Sequence, residues 1–215
     1  MTRRLNVQRH LAQLNIATLR HPIDDPRIAD FVDALPTVNG AGEHSAGYVW
    51  RLQSEGGDAT DIRVFDDPLV IVNLTVWKSL GDLKAFAYRG VHRDFFRRRS
   101  EWFVDGASRT ALWWLPASEL PTTDDAKGRL DFIDAFGPSP YAFEMGQNHP
   151  ALVIDRAGVD DERAQQLLAG AAWDPRPVVG DDGAFVIAAL DDVAVACAAY
   201  HRIDASTAEI TRMHV

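Results

Sequence analysis

The sequence predicts an α+β protein built as two modules. Three observations carry that reading. Residues up to about 143 give strand, helix, strand, strand, helix, strand and one further helix, which is the ferredoxin-like split βαβ order. The charge balance changes near residue 148: residues 1–147 hold 17 Lys/Arg against 20 Asp/Glu, and residues 148–215 hold 5 against 11. The remaining chain spells a strand, a helix and three strands separated by acidic turns. The modules read as 1–143 and 151–215, joined by a linker over 144–150.

The elements follow from local chemistry. Leu11 to Leu19 is the first strand. Asp24, Asp25 and Pro26 open a helix, with acids for the cap and a proline where its missing N–H costs nothing. Ile28, Phe31, Leu35 and Val38 keep one face apolar, Pro36 should kink or divide the helix, and Gly40 and Gly42 should loosen its end. Gly47 to Gln53 is the second strand, and the acidic, glycine-bearing stretch Ser54 to Asp67 is a hairpin loop. Leu69 to Trp77 is a third strand, apolar on both sides and so covered on both. Ser79 and Asp82 resemble a capping box ahead of one long helix, Asp82 to Phe103. Thr110 to Pro116 is the fourth strand. Thr122 and Thr123 cap a last helix, lined by Leu130, Ile133 and Phe136 and stopped by Gly137-Pro138. Two helices cover one sheet face. A partner subunit covering the other, in a homodimer, is the economical expectation.

In the second module, Ala151 to Arg156 is a strand and Asp160 to Leu168 a helix. Residues 184–190, 193–200 and 208–215 are an antiparallel meander.

Composition excludes some roles. A net charge of −9 argues against general affinity for nucleic acid or anionic membrane. Cys197 is the only cysteine, so neither an intrachain disulfide nor a cysteine metal cage can form. The histidines show no HxxH or HExxH spacing, so no metal site is expected. The first residues lack the apolar core of a signal peptide, and no apolar run approaches a membrane span, so the cytoplasm is the default.

His92 is the sharpest candidate for chemistry. At helical spacing its neighbours are Tyr88, Phe96 and Phe103, which suits a general base of lowered pKa or an axial haem ligand. The competing reading is a packed histidine bonded to backbone carbonyls. Arg89, Arg93 and Arg97 form a stripe, with Arg98 and Arg99 behind it. Arg93 or Arg97 could clamp an anionic substrate, although a solvated face that complements the helix C-terminus explains most of the run. Trp50, Trp77, Trp113 and Trp114, on three strands, are placed to line an aromatic pocket or to pack the core. Asn73, amid an apolar strand, reads as a buried polar group that needs a partner or a ligand.

Two resemblances add to this. The run Trp77-Lys-Ser-Leu-Gly-Asp-Leu-Lys-Ala-Phe86 resembles a bacterial family of unknown function in the dimeric α+β barrel superfamily, alongside antibiotic-biosynthesis-type monooxygenases. So do Gly47-Tyr-Val-Trp-Arg-Leu52, Tyr88-Arg89, His92-Arg93, Arg97-Arg-Arg99, Glu101-Trp-Phe103, Leu112-Trp-Trp-Leu-Pro116 and Gly137-Pro-Ser-Pro140. The match covers about residues 11–143. It implies sheet-to-sheet dimers and a small aromatic-lined cavity, but no single reaction, because the superfamily holds cofactorless oxygenases, haem enzymes and isomerases.

In the second module, Gly183-Ala-Phe-Val-Ile-Ala188, Val195-Ala-Cys-Ala198 and Ala208-Glu-Ile-Thr-Arg-Met-His-Val215 resemble the first half of a GNAT-type N-acetyltransferase. That implies Glu209 as a possible general base, and Met213, His214 and Val215 at the acetyl-CoA arm. The chain ends before the glycine-rich turn that would hold the CoA pyrophosphate, and Ala196 stands where the family has glycine. Cys197 reads as packing. Three functions remain open: an oxygenase-like or small-molecule-binding protein, the front of a fused acetyltransferase that uses acetyl-CoA, and a non-enzymatic dimerising scaffold.

Overall fold

The computed structural model describes residues 8–147, 149–158, 161–169, 183–191, 193–202 and 208–214. It falls into two compact units. One comprises His10–Trp113 and Glu119–Asn148, and the other takes in Trp114–Ser118 and His149–Val215. Each is described by itself.

The first unit is an α+β unit with an antiparallel sheet. Strand β1 (Arg9–Thr18) is followed by a 3-10 turn, Pro26–Ile28, whose cap is Asp25: its carboxylate accepts the Arg27 backbone N–H at 2.9 Å. Helix α1 (Ala29–Glu43) then runs unbroken through Pro36, Gly40 and Gly42, so proline does not divide it. Gly42 is instead a close-approach position, since a Cβ there would meet the Phe86 ring at 3.3 Å. Strand β2 is short (Tyr48–Arg51) and is tied to α1 by the Arg51–Glu43 ion pair at 2.7 Å. After the expected loop comes β3 (Val70–Trp77).

The long helix expected over 82–103 is two helices. Helix α2 (Leu80–Ala87) is capped by Ser79, whose hydroxyl oxygen accepts the Asp82 backbone N–H at 3.1 Å. The chain then breaks at Tyr88 and Arg89. Arg89 is extended and Gly90 takes φ +58, a left-handed conformation that costs glycine little. Helix α3 (Gly90–Trp102) starts there. Strand β4 (Arg109–Pro116) leads to helix α4 (Thr123–Phe136), which opens with a full Thr122/Asp125 capping box.

The sheet order is β2-β3-β1-β4, the ferredoxin-like arrangement. Antiparallel β1 and β3 form its centre, in register from Leu11–Trp77 to Thr18–Val70. Side chains alternate between faces. Ile71, Asn73, Thr75 and Trp77 therefore share a face with Leu11, Gln13, Asn15 and Ala17. Helices α1, α2 and α3 lie on that face: Trp77 stacks on Phe86 of α2 at 5.2 Å, and Ile71, Phe31 of α1 and Phe95 of α3 pack against the buried cluster of Leu19, Ile28 and Trp102. The opposite face carries Ala12, Leu14, Ile16, Val72, Leu74 and Val76. All six are at most 8% exposed within the single chain. Burying each larger one stabilises by roughly 1.5–3 kcal/mol.

The second unit holds β5 (Leu152–Ala157), α5 (Glu162–Leu168), β6 (Gly183–Leu190), β7 (Val193–Arg202) and β8 (Ala208–His214). The strands form an antiparallel sheet in the order β5-β6-β7-β8, and three of them are the expected meander. Ala164, Phe185, Ile187, Cys197 and Ala199 make its core, with Leu167 and Leu168 of α5 against it.

Gly47 offers a test of the join between β2 and α2. Its φ is +76, and an added Cβ would collide with the Asp82 side chain. Its carbonyl also accepts the Lys78 N–H at 2.7 Å. Gly47→Ala is expected to cost about 2 kcal/mol in urea unfolding, from the left-handed backbone and the overlap together. A midpoint equal to wild type would show that the turn relaxes freely.

Candidate functional site

Two polar rungs cross the helix-bearing face of the first sheet. In one, the Trp77 indole N–H donates to the Thr75 hydroxyl at 2.9 Å, and that hydroxyl donates to Gln13 Oε1 at 2.8 Å. All three residues are buried, so this rung is closed and satisfied. The next rung is open. Asn73 lies directly opposite Asn15, and the Thr110 hydroxyl reaches Asn15 Oδ1 at 3.4 Å from β4. Asn73 is exposed although the strand residues on either side of it are buried, and Asn15 and Thr110 are half-buried. Asn73 was expected to be buried. The covering rings explain the difference. Phe86 covers Trp77 at one end of β3, Ile71 packs against the cluster of Leu19, Ile28 and Trp102 at the other, and position 73 falls between.

Neighbouring strands lie about 4.8 Å apart, so Asn73, Asn15 and Thr110 set hydrogen-bonding groups at roughly that spacing across three strands. Carboxamides both donate and accept, and they do not titrate. The row can hold and polarise a ligand's oxygen atoms, but it cannot take up a proton.

His92 is elsewhere in the helix layer. Its Nδ1–H donates to the Ala87 carbonyl at 2.9 Å, bridging the break between α2 and α3, and its ring lies 4.8 Å from Phe86. Burial lowers its pKa, and the bond to Ala87 opposes that in part. The expected aromatic surround is not formed: Tyr88 and Phe96 are 54% and 50% exposed. The break between α2 and α3 takes Tyr88 out of the helix that carries His92 and Phe96. A bond from Nδ1 to a carbonyl is the one a metal-ligating histidine ordinarily makes, so it does not decide the haem reading.

The arginines are a solvated face, as the simpler reading had it. Arg93 pairs with Asp94, Arg97 is exposed, Arg98 pairs with Asp30 and Glu101, and Arg99 lies over Phe96 at 4.3 Å. The tryptophans do not form one pocket. Trp77 and Trp113 are buried core residues. Trp50, opposite Val76, is on the other sheet face from Trp77, and alternation separates Trp113 from Trp114. The Trp114 indole N–H is buried and has no hydrogen-bond partner among the described residues.

In the second unit, Glu209 stands opposite His201 in the backbone register of β7 and β8. Met213 is exposed, His214 ends β8, and Val215 lies outside the described residues. Cys197 is buried and its thiol is pushed up by that burial, which suits packing rather than attack. Among the described residues no group of three His, Cys, Asp or Glu side chains could hold a metal. No helix in the described residues is long and apolar enough to cross a membrane.

Sequence reading missed Asn15, Thr110 and Arg129. Asn15 could have been found by aligning the two central strands and asking what stands opposite Asn73. Arg129, half-buried on α4 with its guanidinium 3.7 Å from the Tyr141 ring, left no comparable signal.

Residues 10–157 match the family model of a domain of unknown function, DUF3291. No curated protein matches. A candidate antibiotic biosynthesis monooxygenase from Nitrosomonas europaea is 15% identical, with 48% of this chain and 88% of that chain covered and a TM-score of 0.36. SnoaB, a cofactor-independent oxygenase from Streptomyces nogalater, is 13% identical over 48% and 90%, with a TM-score of 0.34. A conserved protein from Methanosarcina mazei Go1 is 13% identical over 50% and 93%, with a TM-score of 0.36. The acetyltransferase reading of the second module is without support from the family match.

The histidine geometry is checked by titration. With its charged form disfavoured by burial, His92 is expected to titrate below 6.5 in NMR spectra, with the proton on Nδ1 in the neutral form. The unfolded chain then binds more protons between the folded pKa and 6.5, so stability is full above 6.5 and falls as pH drops through that window. His92→Gln should flatten that fall. His10, lowered chiefly by its own burial, leaves a residual slope of the same sign.

Proposed function

The chain belongs to the DUF3291 family, a family of unknown function, and from that premise we propose that its first unit binds a small organic molecule over the open rung of Asn15 and Asn73. The observation that carries this is the exposure of Asn73 in the middle of a covered strand, opposite a second asparagine. An exposed Asn73 opposite a half-buried Asn15 leaves this rung open on a helix-covered sheet face, whereas the adjoining Gln13–Thr75 rung is sealed.

The finer reading is oxygenase-like chemistry on an electron-rich phenol. A phenolate or enolate oxygen carries the negative charge that carboxamide N–H groups stabilise. With dioxygen as co-substrate the balance closes without another reductant: a phenol and O2 give a quinone and water. This reading rests on the resemblance to monooxygenase-like proteins and on the amide row. His92 is not assigned the base, because its described contacts are Ala87 and Phe86 rather than the asparagines.

Calorimetry and an oxygen electrode, run with a panel of phenols and hydroxynaphthalenes, test both levels. At least one member is expected to bind saturably, and Asn73→Leu should weaken it by roughly three- to tenfold, the worth of one hydrogen bond. Its melting temperature should stay near wild type, because the site is exposed. Unchanged binding by Asn73→Leu would remove the rung as the site. Binding without oxygen uptake would leave a binding protein and sink the oxygenase reading.

A homodimer through the sheet face is a separate proposal, and so is the scaffold role built on it. Burial of Leu14, Ile16, Val72 and Leu74 within one chain counts against both. Light scattering at micromolar concentration is expected to give the monomer mass of 23.8 kDa. Twice that mass, stable on dilution, would reinstate the dimer.

A further inference from the structure

We infer that the aromatic strip on helix α4 that ends at Arg129 is a binding site for an aryl carboxylate. The Arg129 guanidinium is half-buried between the Tyr141 ring at 3.7 Å and the Trp113 ring at 5.7 Å. Its Nη1 donates to the Tyr141 carbonyl at 2.8 Å. That uses one of five N–H donors. Among the described residues no carboxylate comes within ion-pair distance of it.

The acidic groups on its own helix are occupied or remote. Asp125 lies one turn earlier and its field reaches Arg129, but its Oδ2 is engaged in the Thr122 cap. Asp134 is held by Arg109. Burial lowers the arginine's pKa, as expected for a cation without a bonded counter-charge. A planar carboxylate meets such a fork with two parallel hydrogen bonds.

The apolar side of the ligand is also specified. Phe132 lies 4.8 Å from Tyr141, and Phe136 lies 5.0 Å from Phe132. Phe136 is 77% exposed. The strip runs from an uncovered aromatic face to a shielded cation, which matches a flat apolar body with one anionic end. Charge selects a monoanion. Arg129 and Lys127 are outnumbered on this helix by Asp124, Asp125, Asp131 and Asp134, so a dianionic phosphate would meet net repulsion.

Trp113 faces away from Thr110 by strand alternation, so this site is separate from the asparagine rung and stands or falls independently of it.

The probe is 1-naphthoate, titrated into the full chain by calorimetry, with naphthalen-1-ylmethanol as its neutral counterpart. Saturable binding of the acid is expected, at least tenfold tighter than the alcohol. Arg129→Met should reduce it by roughly tenfold or more, the loss of a charge-assisted pair. Phe136→Ser alters only an exposed ring, keeps the fold, and should weaken binding several-fold. The proposal is overturned if acid and alcohol bind alike, if Phe136→Ser binds as wild type does, or if no saturation appears at millimolar probe.

Discussion

Strands β1 and β3 pair from Leu11–Trp77 to Thr18–Val70, and everything else in the first unit is positioned by that register. Sliding one strand by a residue would carry its whole side-chain set to the other face. Leu14, Ile16, Leu74 and Val76 would then leave the apolar face, and the polar side chains would enter it. The polar side fixes the register as firmly as the apolar side does. Trp77, Thr75 and Gln13 hand hydrogen bonds from one to the next inside the protein. Out of register each would be buried and unsatisfied, at roughly 1–3 kcal/mol apiece.

The helix layer answers to the same sheet. One straight helix over 82–103 would have presented a single continuous face to β3. The break at Tyr88 and Arg89 lets α2 deliver Phe86 to Trp77 while α3 delivers Trp102 to the cluster against which Ile71 packs. His92 closes the break by donating to the last carbonyl of α2, a role in capping and packing. Gly90 makes the turn possible. The opening over Asn73 is the consequence of covering two ends of a strand with two helices.

Much of this was legible in the sequence. Hydrophobic alternation gave the strands, and acids with threonine gave the start of α4, down to its capping box. The element order then implied the sheet order. What could not be read depended on distant neighbours. Asn73 stood out because its strand is apolar, but its burial was inferred from Val72 and Leu74, which face the other way. Tyr88 joins His92 and Phe96 on one helical face only if the helix is continuous, and Gly90 was the signal that it is not. Phe136 kept helical spacing with Leu130 and Ile133, yet it sits at the last turn and is exposed. Arg129 was invisible because the groups that shield it, Trp113 and Tyr141, arrive from β4 and from the loop after α4.

The two rungs, one sealed and one open, divide the sheet's polar residues by how freely they can drift. Gln13, Thr75 and Trp77 are bound to one another and to the core, so a change in any one strands the others. Asn15 and Asn73 sit in the adjoining register positions without that obligation. Over generations a lineage could exchange them for other small polar residues, and so redirect what the sheet recognises, while the inherited scaffold beneath stays as it is.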